Sequence, residues 1–261
     1  MNYTHFDKKR ESIGIVLKKM FSITEDVASN EEIRDRILSG GKITGTNMVV
    51  MVCAILIASV GLNTNSVAVI IGAMLISPLM GSILAIAYGT VSNDSYLIER
   101  HSAGFAIQIV ISIATATIYF LLSPVKEPTE QLLARTNPAF FDVIIAVAGG
   151  IAGIVGQTRQ DKANNIIPGV AIATALMPPL CTCGYGIANA NLRIILGALY
   201  LFAINAYFIY MSSGIMLTLL KIPKVKTMTQ DEWKKTKKKM HRNTLLILLP
   251  IILIACYELW F

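Results

Sequence analysis

Two stretches decide the reading of this chain: Ala68–Gly81, AVIIGAMLISPLMG, and Gly169–Thr182, GVAIATALMPPLCT. Each is an apolar run interrupted by proline, at Ser77-Pro78 in the first and at Pro178-Pro179 in the second. Proline offers no N–H and its ring clashes with the carbonyl four residues back, so a helix through either stretch must kink or break there. Superposed with a shift of 101 positions, the stretches share five of 14 residues: Val69/Val170, Ile71/Ile172, Leu75/Leu176, Pro78/Pro179 and Leu79/Leu180.

The rest of the chain is almost as apolar. Of its 261 residues 54% are hydrophobic and 15% charged, with a mean hydropathy of +0.60. Soluble domains carry about 25% charge. At about 20 residues per crossing, the apolar content predicts an all-α, polytopic membrane protein of about seven transmembrane helices. An ordinary soluble enzyme, a disordered chain and a disulfide-stapled module are excluded. The apolar runs cover about 47–62, 66–90, 102–122, 139–157, 165–188, 192–220 and 244–261. The broken runs are the second and the fifth, so each is the middle member of a group of three. Three is odd, so the second group enters the membrane with opposite polarity. The pattern predicts a 3+3 inverted repeat with two proline-broken helices and one extra C-terminal helix.

The chain divides accordingly. Residues 1–45 form a cytoplasmic or interfacial helical segment, 46–123 the first repeat, 124–138 an outer linker, 139–220 the second repeat, 221–243 a basic loop and 244–261 the last span. In the first segment Ile13, Val16, Leu17, Met20 and Phe21 share one helical face. That face can lie in the headgroup plane or pack on the protein's own surface. Ser29 and Glu32 then have capping-box spacing, and Gly40-Gly41 is a stop signal. No continuous apolar stretch opens the chain, so a cleavable signal is not expected.

Basic residues set the orientation. With the N-terminus inside and seven crossings, the tail carries eight Lys and Arg, the 221–243 loop nine, and Arg100, Arg159 and Lys162 three more. Only Lys126, Arg135 and Arg193 fall on the other side. This strong positive-inside bias places the N-terminus inside and the C-terminus outside. The net charge of +7 therefore reads as orientation and contact with anionic lipid headgroups, not as nucleic-acid binding. Within the loop, Lys234, Lys235, Lys237, Lys238, Lys239 and Arg242 form the lipid-facing basic run.

The breaks carry the functional expectation. In lipid, backbone groups freed by a break must be buried in protein or face water, and half-helix ends near the midplane offer them to a solute or ion. Ser77, Pro78, Thr174, Pro178, Pro179 and Thr182 are the expected pathway residues. The alternative is a pair of kinks that only shape packing. Gln108 and Asn205 lie within spans and are expected to hydrogen-bond across helices. Asn63, Asn65, Asn189 and Asn191 fall at predicted outer ends, where they either cap helices, the expected role, or line a vestibule. Gly149, Gly153 and Gly156 place small residues on one side of the fourth span, which fits close packing within or between protomers, so a homo-oligomer is one expectation. Cys181 and Cys183 form a C-x-C with too few other ligands for a metal. Only Asp142 and Glu258 are acidic within the runs, both near outer ends, and no Lys, Arg or His sits mid-span. Neither a proton relay nor a voltage sensor is encoded. No nucleotide-binding, nucleophile-elbow or zinc-protease motif occurs, so neither catalysis nor a cofactor is expected.

Residues 65–81, NSVAVIIGAMLISPLMG, and 173–180, ATALMPPL, resemble the two signatures of a bacterial and archaeal hydrophobic-domain family catalogued as a domain of unknown function, the 389 series. The resemblance covers about residues 45–220. It implies a prokaryotic inner-membrane protein and assigns no activity or functional residues. Two functions remain open. One is a transporter or channel for a small solute or ion, with its path between the two broken helices. The other is a non-transporting scaffold or sensor that binds anionic lipid or a cytoplasmic partner through the basic loop and the amphipathic N-terminus.

Overall fold

The computed structural model describes residues 27–159, 176–225 and 242. Among these residues the fold is helical throughout, with one isolated antiparallel bridge between Val27 and Arg159. The first predicted N-terminal helix, Thr174, the lysines of the basic run and the seventh span lie outside the described residues. Arg242 is described only as helical and exposed.

Helix α1, Asn30–Gly40, begins where the Ser29 side chain accepts from the Glu32 amide, and Gly41 ends it. It buries Ile33 and Ile37. Helix α2, Gly45–Asn63, is capped by Thr44. The second apolar run splits into α3, Val67–Leu75, and α4, Leu79–Ser92, which are bent by 45°. Helix α5 is Ser95–Leu122, α6 is the single turn Glu130–Leu133, and α7 is Phe140–Thr158. Helices α8, Met177–Ala188, and α9, Leu192–Leu219, complete the bundle. Four of these helices, α2, α5, α7 and α9, are long and apolar enough to cross a membrane, and the bent pair α3–α4 makes a fifth candidate. Their outward faces are apolar as well: Val110, Ile118, Leu121 and Leu122 of α5 are all exposed. A helix apolar on both its core and its outer face belongs in lipid.

Helix α5 starts seven residues before the apolar run that predicted it, at Ser95 instead of 102. Hydropathy marks where lipid begins, whereas Asp94 marks where the helix begins, by accepting from the Leu97 amide at 3.2 Å. The charged turn through Glu99 and Arg100 is thus helical and lies beyond the apolar part of α5.

One turn recurs at the ends of α2, α4 and α8. Asn65, Asn93 and Ala190 have φ of 54°, 56° and 51°. The next amide in each case returns to the carbonyl five residues earlier: Ser66 to Gly61, Asp94 to Gly89 and Asn191 to Gly186, at 2.8, 2.9 and 2.8 Å. This is the left-handed Schellman ending. A Cβ on Gly61 would approach the Ile70 amide to 2.9 Å, so a side chain there would push the next helix away. Gly89 meets Leu97 and Ile98, and Gly186 meets Ile194 and Ile195. The α4–α5 and α8–α9 corners are thus the same structure at an offset of 97 residues.

Helix directions follow from the contacts. Asn63 bonds Ser123, while Gly41 bonds His101, so α2 and α5 run parallel. Gly184 packs on Ala116, and Tyr185 bonds the Lys126 carbonyl, so α8 runs parallel to α5. Thr136 meets Gly197, and Gly150 meets Ser213, so α7 and α9 run together. One end of the bundle holds Asn63 and Ser123, and the other holds His101, α1 and Arg159. Helix α1 clasps the second end: Ala28 donates to Thr158 O, Arg36 to Arg159 O, and Gly40 lies against Gly81.

Candidate membrane-embedded polar site

Helix α3 loses its ladder near its C-terminal end because Pro78 has no N–H to donate. The last turn tightens, with Ile76 donating to Ala73 O and Ser77 to Met74 O, each at 3.3 Å. The Ser77 hydroxyl accepts from the Leu79 amide at 3.4 Å, which serves one of the free donors at the start of α4. Ser77 and Pro78 are half-buried. Pro178 and Pro179 fall in the first turn of α8, where a helix needs no amide from them. Both are buried. The sequence reading placed this pair as an interruption within a run; the described residues place it at a helix start.

Helices α4 and α8 share partners. Helix α4 packs on α5 and α9, and so does α8, which also meets α2. Between them α5 presents Gln108 and Ser112, one turn apart on its inward face. Gln108 Oε1 accepts from the Ser82 hydroxyl of α4 at 2.8 Å. One turn beyond Ser112, Ala116 lies against Gly184 of α8, so Ser112 is level with the turn of α8 that contains Leu180, Cys181 and Thr182. The Cys181 thiol reaches 3.9 Å from Ile55 O and neighbours Ser59 of α2. Asn63, one turn after Ser59, donates to Ser123 Oγ at 2.6 Å. These hydroxyls and carboxamides form a polar set, a ladder, within the apolar interior between α4 and the Asn63 end.

That ladder is conspicuously under-bonded. Ser59, Ser82, Gln108, Ser112 and Thr182 are completely buried. Ser59 Oγ, Asn63 Oδ1, Gln108 Nε2, Ser112 Oγ and Thr182 Oγ1 have no hydrogen-bond partner of normal geometry. A buried unpaired polar group costs about 1–3 kcal/mol. These five buried atoms offer both donors and acceptors to a guest that can pair with them. Aromatic rings close the Asn63 end, where Phe120 stands edge-on to both Tyr119 and Tyr185 with centroids 5.1 Å apart.

Residues 74–211 match the family described as Domain of unknown function (DUF389), over more than half of the chain. The chain belongs to the DUF389 family. It is also 24% identical over 253 residues to an uncharacterised protein of Methanocaldococcus jannaschii, spanning 97% of this chain and 73% of that one. No solved structure matches it. The DUF389 match takes in α4, α5, α8 and most of α9, so every ladder residue except Ser59 and Asn63 lies within the matched region.

Of the expected pathway residues, Ser77 and Pro78 stand at the α3–α4 bend, and Thr182 belongs to the ladder. Pro178 and Pro179 start the helix that carries Thr182. Ser59, Ser82 and Ser112 were not among the expected residues; a serine inside an apolar run carries no signal until the facing helix is known. Gln108 bonds across to Ser82, as expected of it. The asparagines serve the helix ends: Asn65 takes the left-handed turn and accepts from the Gln131 amide, Asn189 donates to Tyr185 O, and Asn191 caps α9. Asp142 accepts from the Ala139 amide at 2.7 Å, as a helix-start acid. Outside the spans, Arg135 has its guanidinium pushed below its ordinary value by burial, with Asp142 opposing.

Proposed function

We propose that this DUF389 protein is a non-enzymatic transporter or channel for a small solute or ion, with its path along the ladder between α4 and α8. The observation that carries this reading is the set of five unpaired polar atoms inside an apolar helix bundle. No Asp, Glu, Lys or Arg occurs in the ladder, which favours a neutral polar solute or an uncoupled path. Seven crossings, with the N-terminus inside and the C-terminus outside a prokaryotic inner membrane, complete the proposal. Arg34, Arg36, Arg100, Arg159, Lys221 and Lys224 belong to the α1 side of the bundle; Lys126, Arg135 and Arg193 belong to the other, in keeping with the positive-inside rule.

The inverted repeat has support of its own. Helix α5 buries Leu97, His101, Gly104, Gln108, Ser112, Ala116 and Phe120. Moved by 97 positions, all seven fall on buried residues of α9: Ile194, Ala198, Leu201, Asn205, Ile209, Ser213 and Leu217. Since α8 runs parallel to α5 while α4 runs against it, the equivalent helices α4 and α8 point in opposite directions. Between the prolines and the shared corner the second repeat is four residues shorter, with Pro179 seven before Gly186 and Pro78 eleven before Gly89. This one-turn deletion separates the offset of 101 at the prolines from that of 97 at the corners.

Thiol labelling tests the path. With Cys53, Cys181, Cys183 and Cys256 replaced, a single cysteine at position 77, 112 or 182 should react with a membrane-impermeant reagent from one face of the membrane, because labelling needs a hydrated thiolate. Silence at all three, from both faces, would overturn the reading.

A further inference from the structure

We propose that the stacked rings of Phe105 and Phe202 are the central barrier of this path, separating a compartment on the Gln108 side from one on the Asn205 side. The inference rests on the transport reading above and adds its gate. The two rings stack with centroids 5.9 Å apart and an interplanar angle of 24°. Phe105 and Phe202 are equivalent residues under the offset of 97. A residue can touch its own equivalent only beside the axis that relates the two repeats. For an inverted repeat that axis lies in the membrane plane, so the stack sits at mid-depth.

The surroundings fit a gate better than simple packing. Phe105 is flanked on the inward face of α5 by His101, Gln108 and Ser112, at helical spacings of four, three and seven, and all three are buried. Phe105 itself is only half-buried. It stands at the edge of that face, beside exposed Ser102 and Ala106. Phe202 is buried. The backbones of α5 and α9 are not closely packed; each packs instead on α4 and α8, so the rings bridge a gap between the two helices. Gln108 follows Phe105 by one turn, and Asn205 follows Phe202 by one turn. Because the helices are antiparallel, the two carboxamides lie on opposite sides of the stack, Gln108 toward the Asn63 end and Asn205 toward the His101 end. A carboxamide both donates and accepts. An apolar constriction between two polar positions blocks water and polar solutes until the rings part.

The test uses the full chain without native cysteines in sealed vesicles of both orientations, with Ser112→Cys on one side of the stack and Asn205→Cys on the other. The expected result is that each thiol labels with an impermeant reagent from its own face only. In the Phe105→Ala/Phe202→Ala background, labelling from the opposite face should rise about tenfold or more, equivalent to about 1.4 kcal/mol off the barrier. If the double variant does not elute as a folded protein, Phe105→Ala and Phe202→Ala are each tested alone for the same rise. Labelling of either thiol from both faces with the rings intact would overturn the gate and keep the path. Side-restricted labelling that the alanines leave unchanged places the barrier elsewhere and also overturns the gate. No labelling of either thiol in any background removes both the gate and the path.

Discussion

The Ser82–Gln108 pair should show an inverted order of stability. In the native protein Gln108 Oε1 has its partner and Nε2 has none. Replacing Ser82 with Ala deletes the one bond and leaves the whole carboxamide unpaired in an apolar interior, at a cost of about 1–3 kcal/mol. Adding Gln108→Met then removes the unpaired carboxamide at nearly constant volume. The double variant loses one hydrogen bond, worth about 1 kcal/mol net, and is relieved of an unpaired donor that costs about 1–3 kcal/mol. Its stability should therefore equal or exceed that of the parent. At about 2–4 °C per kcal/mol for a chain of this size, Ser82→Ala should melt a few degrees below the parent and the double variant at or a few degrees above it. Thermal unfolding followed by intrinsic fluorescence, at fixed detergent and protein concentration, reads this directly. On the proposed transport reading, solute flux in vesicles should fall in both variants. A double variant less stable than Ser82→Ala would refute the argument, since it would mean that the carboxamide is fully satisfied in the native bundle.

Other positions give sharper local tests. Thr182→Val keeps the shape and removes a buried hydroxyl without a partner, so stability should rise by about 1 kcal/mol while flux falls; a drop in melting temperature would show the hydroxyl to be structural. Gly81→Ala places a Cβ onto the Gly40 carbonyl and should cost about 1–3 kcal/mol as overpacking. Limited proteolysis should cut between α1 and α2 faster in that variant, and an unchanged digestion pattern would mean that α1 yields freely. Asp94→Ala and Asn191→Ala remove equivalent N-caps and should each cost about 1 kcal/mol. Similar losses at the two corners, measured by the same melts, would match their shared geometry.

Much of the architecture is local chemistry and could be read along the chain. Hydropathy and helix period located the four or five spans that the described residues contain, and Ser29 and Gly40-Gly41 marked ends that the fold uses as expected. The prolines located the α3–α4 bend, because a missing N–H is a covalent fact that no packing can restore. Helix starts beyond the apolar runs were less legible, as α5 shows, because a cap and a lipid boundary are different signals. The functional reading needed partners. Nothing in the sequence around Ser82 announces that it will face Gln108, 26 positions away. The stack of Phe105 on Phe202 depends on two antiparallel helices bringing the rings together. Periodicity fixes which residues share a face, but only packing decides what that face meets. The unpaired atoms of the ladder exist only after the helices have closed around them and excluded the water that served them in the unfolded chain.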